Sequence, residues 1–77
     1  MRVTVRAFAN LRDYAPERRE RFELKLAHGA SVAAVLAAMQ LPPAVQTVLL
    51  VNGRRAGAAT ALADGDEITL FPPMEGG

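Results

Sequence analysis

The chain has 77 residues, of which 51% are hydrophobic and 22% charged, and its formal net charge is +1. This length allows one small domain with a modest core, and the composition is that of a folded protein rather than a disordered segment. The absence of cysteine excludes disulfides, a thiolate nucleophile and a sulfur-ligated metal, while the near-neutral charge and scarce aromatic residues argue against nucleic acid as the main partner.

The first part of the chain predicts two strands. Arg2 to Phe8 and Glu20 to Leu26 both alternate apolar with polar residues, as half-buried strands do. The polar residues 9–19 between them contain Pro16 and predict a loop. The two strands should therefore form a hairpin with a long connection.

A short amphipathic helix is predicted next, after the turn at Gly29. Ser31 can cap it by accepting a hydrogen bond from a backbone N–H, and Pro42 and Pro43 end it. An apolar stripe recurs at helical spacing and comprises Val32, Val35, Leu36 and Met39. A helix of about nine residues is not stable alone in water, so it should pack on the sheet.

The second part of the chain predicts three more strands: Thr47 to Val51, read as buried, Arg54 to Gly57, and Glu67 to Phe71. Asn52-Gly53 is a strong hairpin signal between the first two, and Asp64-Gly65-Asp66 marks a further turn. The element order β-β-α-β-β-β predicts an α+β fold of β-grasp type. Its mixed sheet has four to five strands, the last beside the first, and one main helix packed on one face.

The side chains give no pattern typical of an enzyme site. His28 lies beside a turn glycine without a second histidine, and Ser31 is better explained as a helix cap than as a nucleophile. The acidic residues of the D-G-D-E turn lack the spacing of a calcium loop. We therefore expect no catalytic side chain, no metal and no bound cofactor.

The end of the chain carries the most specific signal. Two terminal glycines, Gly76 and Gly77, follow Pro72 and Pro73. At ~7% glycine usage, a pair of glycines at two given positions has a chance of roughly 0.5%. A glycine cap and a frayed terminus are the structural explanations. Alternatively, the carboxylate of Gly77 becomes electrophilic once ATP converts it to an acyl-adenylate, and it can then accept sulfur or an amine. We expect a β-grasp domain over residues 1–73 and a flexible tail over residues 74–77.

Several motifs, in this order and spacing, resemble the MoaD and ThiS family of sulfur carriers. They are V-N-G at 51–53, L-A-D-G-D-E-I at 62–68, F-P-P at 71–73 and G-G at 76–77. Members of this family are small ubiquitin-like β-grasp proteins of molybdopterin and thiamine biosynthesis. The resemblance implies that an adenylating enzyme of the ubiquitin-activating type modifies the carrier with ATP and magnesium. A sulfurtransferase then makes the thiocarboxylate.

The resemblance also implies a role for each residue of the tail. Gly77 would bear the acyl-adenylate and then the thiocarboxylate, and Gly76, which has no side chain, would let the tail enter a narrow channel. The arm and its docking contacts would be Phe71, Pro72, Pro73, Met74 and Glu75. Met74 and Glu75 occupy positions where small or apolar residues are usual in the family, so a partner must accommodate the negative Glu75.

Phe71 is also expected on the sheet face opposite the helix, near Arg6 and Phe8, where these residues form a candidate partner surface. The alternative is that Phe71 and Phe8 seal one end of the core. Both interpretations follow equally from the alternation of the strands.

Within the family, the F-P-P ending and the long first connection are most similar to the small subunit of molybdopterin synthase. That subunit inserts its tail into the large catalytic subunit, so the implied function is that of a carrier and not of an enzyme alone. The chain could also be a sulfur carrier for thiamine, cysteine or tungsten and molybdenum enzymes, a ubiquitin-like modifier joined through Gly77 to lysines, or a structural adaptor. With no membrane span and no secretory signal visible, a cytoplasmic protein is expected.

Overall fold

The computed structural model describes residues 1–73, and within them it has one α-helix lying on one face of a five-stranded sheet. The strands are β1 (Arg2–Ala7), β2 (Arg21–Lys25), β3 (Val48–Val51), β4 (Arg54–Ala56) and β5 (Glu67–Phe71), and the helix is α1 (Val32–Ala38). The order in the sheet is β2-β1-β5-β3-β4. The predicted α+β β-grasp architecture is confirmed. The flexible tail predicted over residues 74–77 lies outside the described residues.

The centre of the sheet is the parallel pairing of β1 with β5, in which Val5 lies opposite Ile68 and Ala7 opposite Leu70. All other pairings among the strands of residues 1–73 are antiparallel. The inward residues of both central strands are buried, because the alternation of β1 and β5 points one side of each strand at α1. The predicted position of the last strand beside the first is confirmed.

The start of α1 is stabilised by backbone groups and not by a side chain. The predicted cap is wrong, because the Ser31 side chain makes no capping hydrogen bond. Instead, the amide of Val32 donates to the carbonyl of Thr60 at 3.0 Å and the amide of Ala33 to that of Ala58 at 2.8 Å. The segment after β4 thus satisfies N–H groups that would otherwise lack a partner at a helix start.

The prediction of a loop over residues 9–19 is also wrong. Ala9–Tyr14 and Pro16–Arg18 form two short 3-10 helices, and Leu11 is completely buried in the core. Backbone hydrogen bonds with i to i+3 spacing hold the first of them. Three apolar residues of this stretch reach the core, Leu11, Tyr14 and Ala15, but a pattern this short, followed by Pro16, is too weak to predict a helical turn.

The two turn motifs of the second half hold each other in place. The side-chain amide nitrogen of Asn52 donates to the Asp66 carboxylate at 2.9 Å, and its side-chain carbonyl oxygen accepts the backbone N–H of Glu67 at 2.9 Å. The other carboxylate oxygen of Asp66 accepts the N–H of Ala63 at 2.8 Å. These bonds tie the β3–β4 hairpin to the start of β5, so both motifs have a structural role.

Replacing Leu11 with alanine should destabilise the domain by about 2–5 kcal/mol, because it leaves a cavity beneath the first connection. Chemical denaturation followed by circular dichroism measures this change. Asn10→Ala, at the exposed neighbouring position, is the control and should stay within about 0.5 kcal/mol of the parent. Equal stability of the two variants would contradict the burial of Leu11.

Candidate functional site: the tail root and the open sheet face

The last described residues leave the sheet at the end of its central strand. Leu70 lies opposite Ala7, and its carbonyl accepts the N–H of Phe8 at 3.0 Å. Pro72 and Pro73 have no N–H to continue the ladder, and the residue before a proline is sterically restricted to extended conformations. Phe71, Pro72 and Pro73, which we name the tail root, therefore carry the chain onward beyond the ends of β1 and β5.

The face of the sheet opposite α1, here named the open face, presents apolar side chains beside the tail root. Ile68 and Leu70 point at α1 and have 0% exposure, so Thr69 and Phe71 point to the open face. In the register with β3, Phe71 lies opposite Val48 and Thr69 opposite Leu50. The sheet thereby gathers apolar residues around the point where the tail departs.

These apolar side chains are not part of the core. Phe8, Val48, Leu50 and Phe71 are each half-buried, and within residues 1–73 none of them belongs to the buried cluster or to the apolar residues packed against it. This placement favours the candidate partner surface over the alternative in which Phe71 and Phe8 seal one end of the core. Apolar side chains grouped on one face are typical of docking surfaces.

Arg6 lies on the same face and is held by three neighbours. Its guanidinium carbon is 5.1 Å from the centroid of the Phe8 ring, and its nitrogens lie 3.6 Å from a Glu20 oxygen and 3.9 Å from a Glu67 oxygen. Ion pairs this exposed add little stability. The contacts nevertheless orient the arginine over the aromatic ring, so the structure brings Arg6 and Phe8 together.

The other polar candidates serve the fold or face solvent. His28 is exposed in a turn, and one Asp64 carboxylate oxygen accepts the backbone N–H of Arg2 at 2.7 Å. Among residues 1–73, no group of 3 or more histidine, aspartate or glutamate side chains is placed to hold a metal ion. The described part of the chain also has no helix that is long and apolar enough to span a membrane.

Half of the apolar side chains on the open face, Val48 and Leu50, are not predicted by the sequence pattern. The stretch Val48–Val51 is entirely apolar, and this composition predicts a buried strand. Only Leu49 in this strand is buried, whereas Val48 and Leu50 lie on the open face. A run without polar residues carries no sign of which side faces α1, and the pairing with β5 supplies that information.

These features define a small ubiquitin-like protein. Within residues 1–73, the last strand lies at the centre of the sheet, one α-helix covers one face, and the tail root leaves beside the apolar open face. The chain belongs to the ThiS family, whose model matches residues 5–77. Solved structures that share its fold include molybdopterin-converting-factor proteins and a thiamine biosynthesis protein. Among curated proteins, none matches this chain.

Three solved structures illustrate the range of similar proteins. SAMP1, a small archaeal modifier protein from Haloferax volcanii, is 27% identical with a TM-score of 0.78, over 100% of both chains. A chain of the complex of subunits 1 and 2 of molybdopterin-converting factor from Helicobacter pylori is 28% identical with a TM-score of 0.68, over 100% of both chains. The ubiquitin of Caldiarchaeum subterraneum is 28% identical with a TM-score of 0.60, over 100% of this chain and 98% of that one.

Phe71→Ala should cost less than about 1 kcal/mol of stability, because Phe71 contributes a cross-strand pair and not core packing. The neighbouring Leu70→Ala, which opens a cavity under α1, should cost about 2–5 kcal/mol. Chemical denaturation of the two variants makes the comparison. If Phe71→Ala is as destabilising as Leu70→Ala, then Phe71 seals the core and is no partner contact.

Proposed function

We propose that this protein is a sulfur carrier whose C-terminal carboxylate, on Gly77, is activated and converted to a thiocarboxylate. An isolated carboxylate has a pKa near 3.5 and is ionised at neutral pH, so nucleophiles do not attack it. In an adenylating enzyme of the ubiquitin-activating type, with ATP and magnesium, a carboxylate oxygen attacks the α-phosphorus of ATP. Pyrophosphate leaves, and the carbonyl carbon then carries AMP as a leaving group. The terminal sulfur of a sulfurtransferase persulfide then bonds to the carbonyl carbon while AMP departs. A second thiol attacks the other sulfur of the resulting acyl disulfide, so the thiocarboxylate is released and the two thiol groups are left as a disulfide.

The observation that carries the proposal is the position of the tail root, at the end of the central strand and beside the open face. A partner that contacts Val48, Leu50 and Phe71 would bind the domain through the open face while the tail enters the partner's active site. The chain itself needs no catalytic side chain in this scheme. Membership of the ThiS family supports the same division of roles between carrier and partner.

Within this function, we favour the small subunit of molybdopterin synthase. The likeness to a chain of the molybdopterin-converting factor complex covers 100% of both chains at 28% identity, and the F-P-P ending supports the same choice. In that role the large catalytic subunit would receive the tail and take its sulfur. Carriers for thiamine, cysteine or tungsten and molybdenum enzymes use the same activated tail with a different acceptor.

A ubiquitin-like protein modifier is the second candidate, and the similarity to SAMP1 and to the Caldiarchaeum subterraneum ubiquitin favours it. In this case a lysine amine of a target protein attacks the activated carbonyl of Gly77. An isopeptide bond forms and AMP leaves. Carrier and modifier share the adenylation step and differ in the nucleophile that follows.

Activation should depend on a free carboxylate at Gly77. With the ubiquitin-activating-type enzyme of the same organism, magnesium and ATP, the protein should support exchange of radiolabelled pyrophosphate into ATP. A variant with one alanine added after Gly77 should lose this exchange while its thermal unfolding stays unchanged. Equal exchange with the parent and the extended variant would contradict activation at Gly77. Activation would also be contradicted if neither protein supported exchange with an enzyme preparation that activates another carrier.

The open face should contribute to recognition by the same enzyme. Leu50→Asp places a charge among the apolar side chains and should raise the KM for the carrier at least about tenfold, as expected for an interface anchor. The control is Ala37→Asp, which makes the same charge change at an exposed position of α1 and should leave the KM within about twofold. Comparable KM values for the two variants would contradict docking through the open face.

A further inference from the structure

The chain carries eight arginines but only one lysine, Lys25. This matters chemically, given the proposed function, because an activated carbonyl at Gly77 is open to attack by any unprotonated primary amine. An arginine guanidinium remains protonated under all ordinary conditions and is no competitor. The amines of this chain that could react with its own activated tail are therefore Lys25 and the amino group of Met1.

Both amines lie at the end of the sheet opposite the tail root. Lys25 pairs with Arg2 at the start of β1, and Thr4 lies opposite Glu67 in β5. Counting back along this register puts Lys25 level with Gly65, eight positions before Pro73. At ~3.3 Å per residue, Lys25 and Pro73 are separated by about 26 Å along the strand direction. The Met1 amino group lies one position further away and donates to the Leu26 carbonyl at 2.8 Å.

The covalent length of the tail is shorter than this separation. Four residues beyond Pro73 span at most about 14 Å when fully extended. A lysine side chain adds about 6 Å from its backbone to its nitrogen. Their sum of about 20 Å falls short of the roughly 26 Å along the strands, and Lys25 is also displaced sideways by two strand spacings, because β1 lies between β2 and β5.

We propose that the fold protects the activated tail from its own chain by placing every primary amine out of the tail's reach. The reaction avoided is attack of an amine nitrogen on the Gly77 carbonyl carbon, with loss of a proton to solvent and departure of AMP, which would close the chain into a lactam. Arginine on the open face near the tail root keeps positive charge there without adding a nucleophile. The activated carrier thus persists until another molecule supplies the nucleophile.

Two matched arginines on β1 allow a direct test. Arg2 and Arg6 lie on the same face, and each is paired with a glutamate at 3.6 Å. Arg6 is opposite Thr69, four positions from Pro73 and hence about 13 Å away along the strand, within reach of the tail. Arg6→Lys therefore brings an amine within reach, whereas Arg2→Lys adds the same amine at the far end.

The experiment uses the full chain with an alkyl thioester installed at Gly77 by intein cleavage, so that no activating enzyme is required. Each protein is held at about 10 μM and mildly alkaline pH, and intact mass spectrometry separates the free acid from the lactam, which is lighter by one water. A short flexible tether gives an effective concentration in the millimolar range, about 100-fold above the protein concentration. We expect Arg6→Lys to form lactam at least about tenfold faster than the parent or Arg2→Lys, because only its new amine has this higher effective concentration.

Lactam formation by the parent at the rate of Arg6→Lys, mapped to Lys25 or Met1, would overturn the proposal. So would equal rates for Arg6→Lys and Arg2→Lys. Arg55→Lys provides a second near position, because Arg55 lies opposite Leu50, which is itself opposite Thr69, and it should also form lactam if Arg6→Lys is unstable. Because the thioester is installed chemically, the outcome is independent of whether an enzyme adenylates Gly77.

Discussion

The parallel pairing of β1 with β5 is the constraint on which the rest of the molecule depends. It joins the first and last strands of the described chain, supplies the buried centre of the sheet and fixes the level at which the tail departs. Hydrogen bonds at the other end secure its register, since the backbone N–H of Thr4 donates to the Asp66 carbonyl at 2.9 Å and that of Gly65 to the Arg2 carbonyl at 2.8 Å. A slip by one residue would exchange the two faces of β5, burying Phe71 and exposing Leu70.

That register also separates the side chains that form the core from those that lie on the open face. Side chains toward α1 exclude water and carry most of the folding free energy, because burial of apolar surface is the dominant favourable term. Side chains on the open face, around Phe71 and Leu50, contribute little packing, so they are free to serve a partner. The same strands keep Lys25 and the tail root at opposite ends of the sheet. One pairing thus positions the core, the open face and the amines relative to the tail root.

The sequence predicts the parts that repeat or turn sharply. Alternation identifies β1, β2 and β5, and Asn52-Gly53 marks the hairpin, because these signals are local. The burial of Leu11 and the contacts at the start of α1 are not predicted, since their partners come from distant segments that no local pattern reveals. For the candidate site, alternation correctly predicts the face of Phe71. It does not predict Val48 and Leu50, because an all-apolar strand has two equivalent sides until its neighbour is known.

The most direct test of the sulfur-carrier account is the intact mass of the protein isolated untagged from its native host, with its C-terminal peptide sequenced. We expect a fraction heavier by the difference between one sulfur and one oxygen, with the extra mass located at Gly77. Gly77 found only in isopeptide linkage to lysines of other proteins would contradict sulfur transfer and establish a protein modifier. An unmodified carboxylate in every molecule, even after incubation with the activating enzyme, the sulfur donor and ATP, would contradict both.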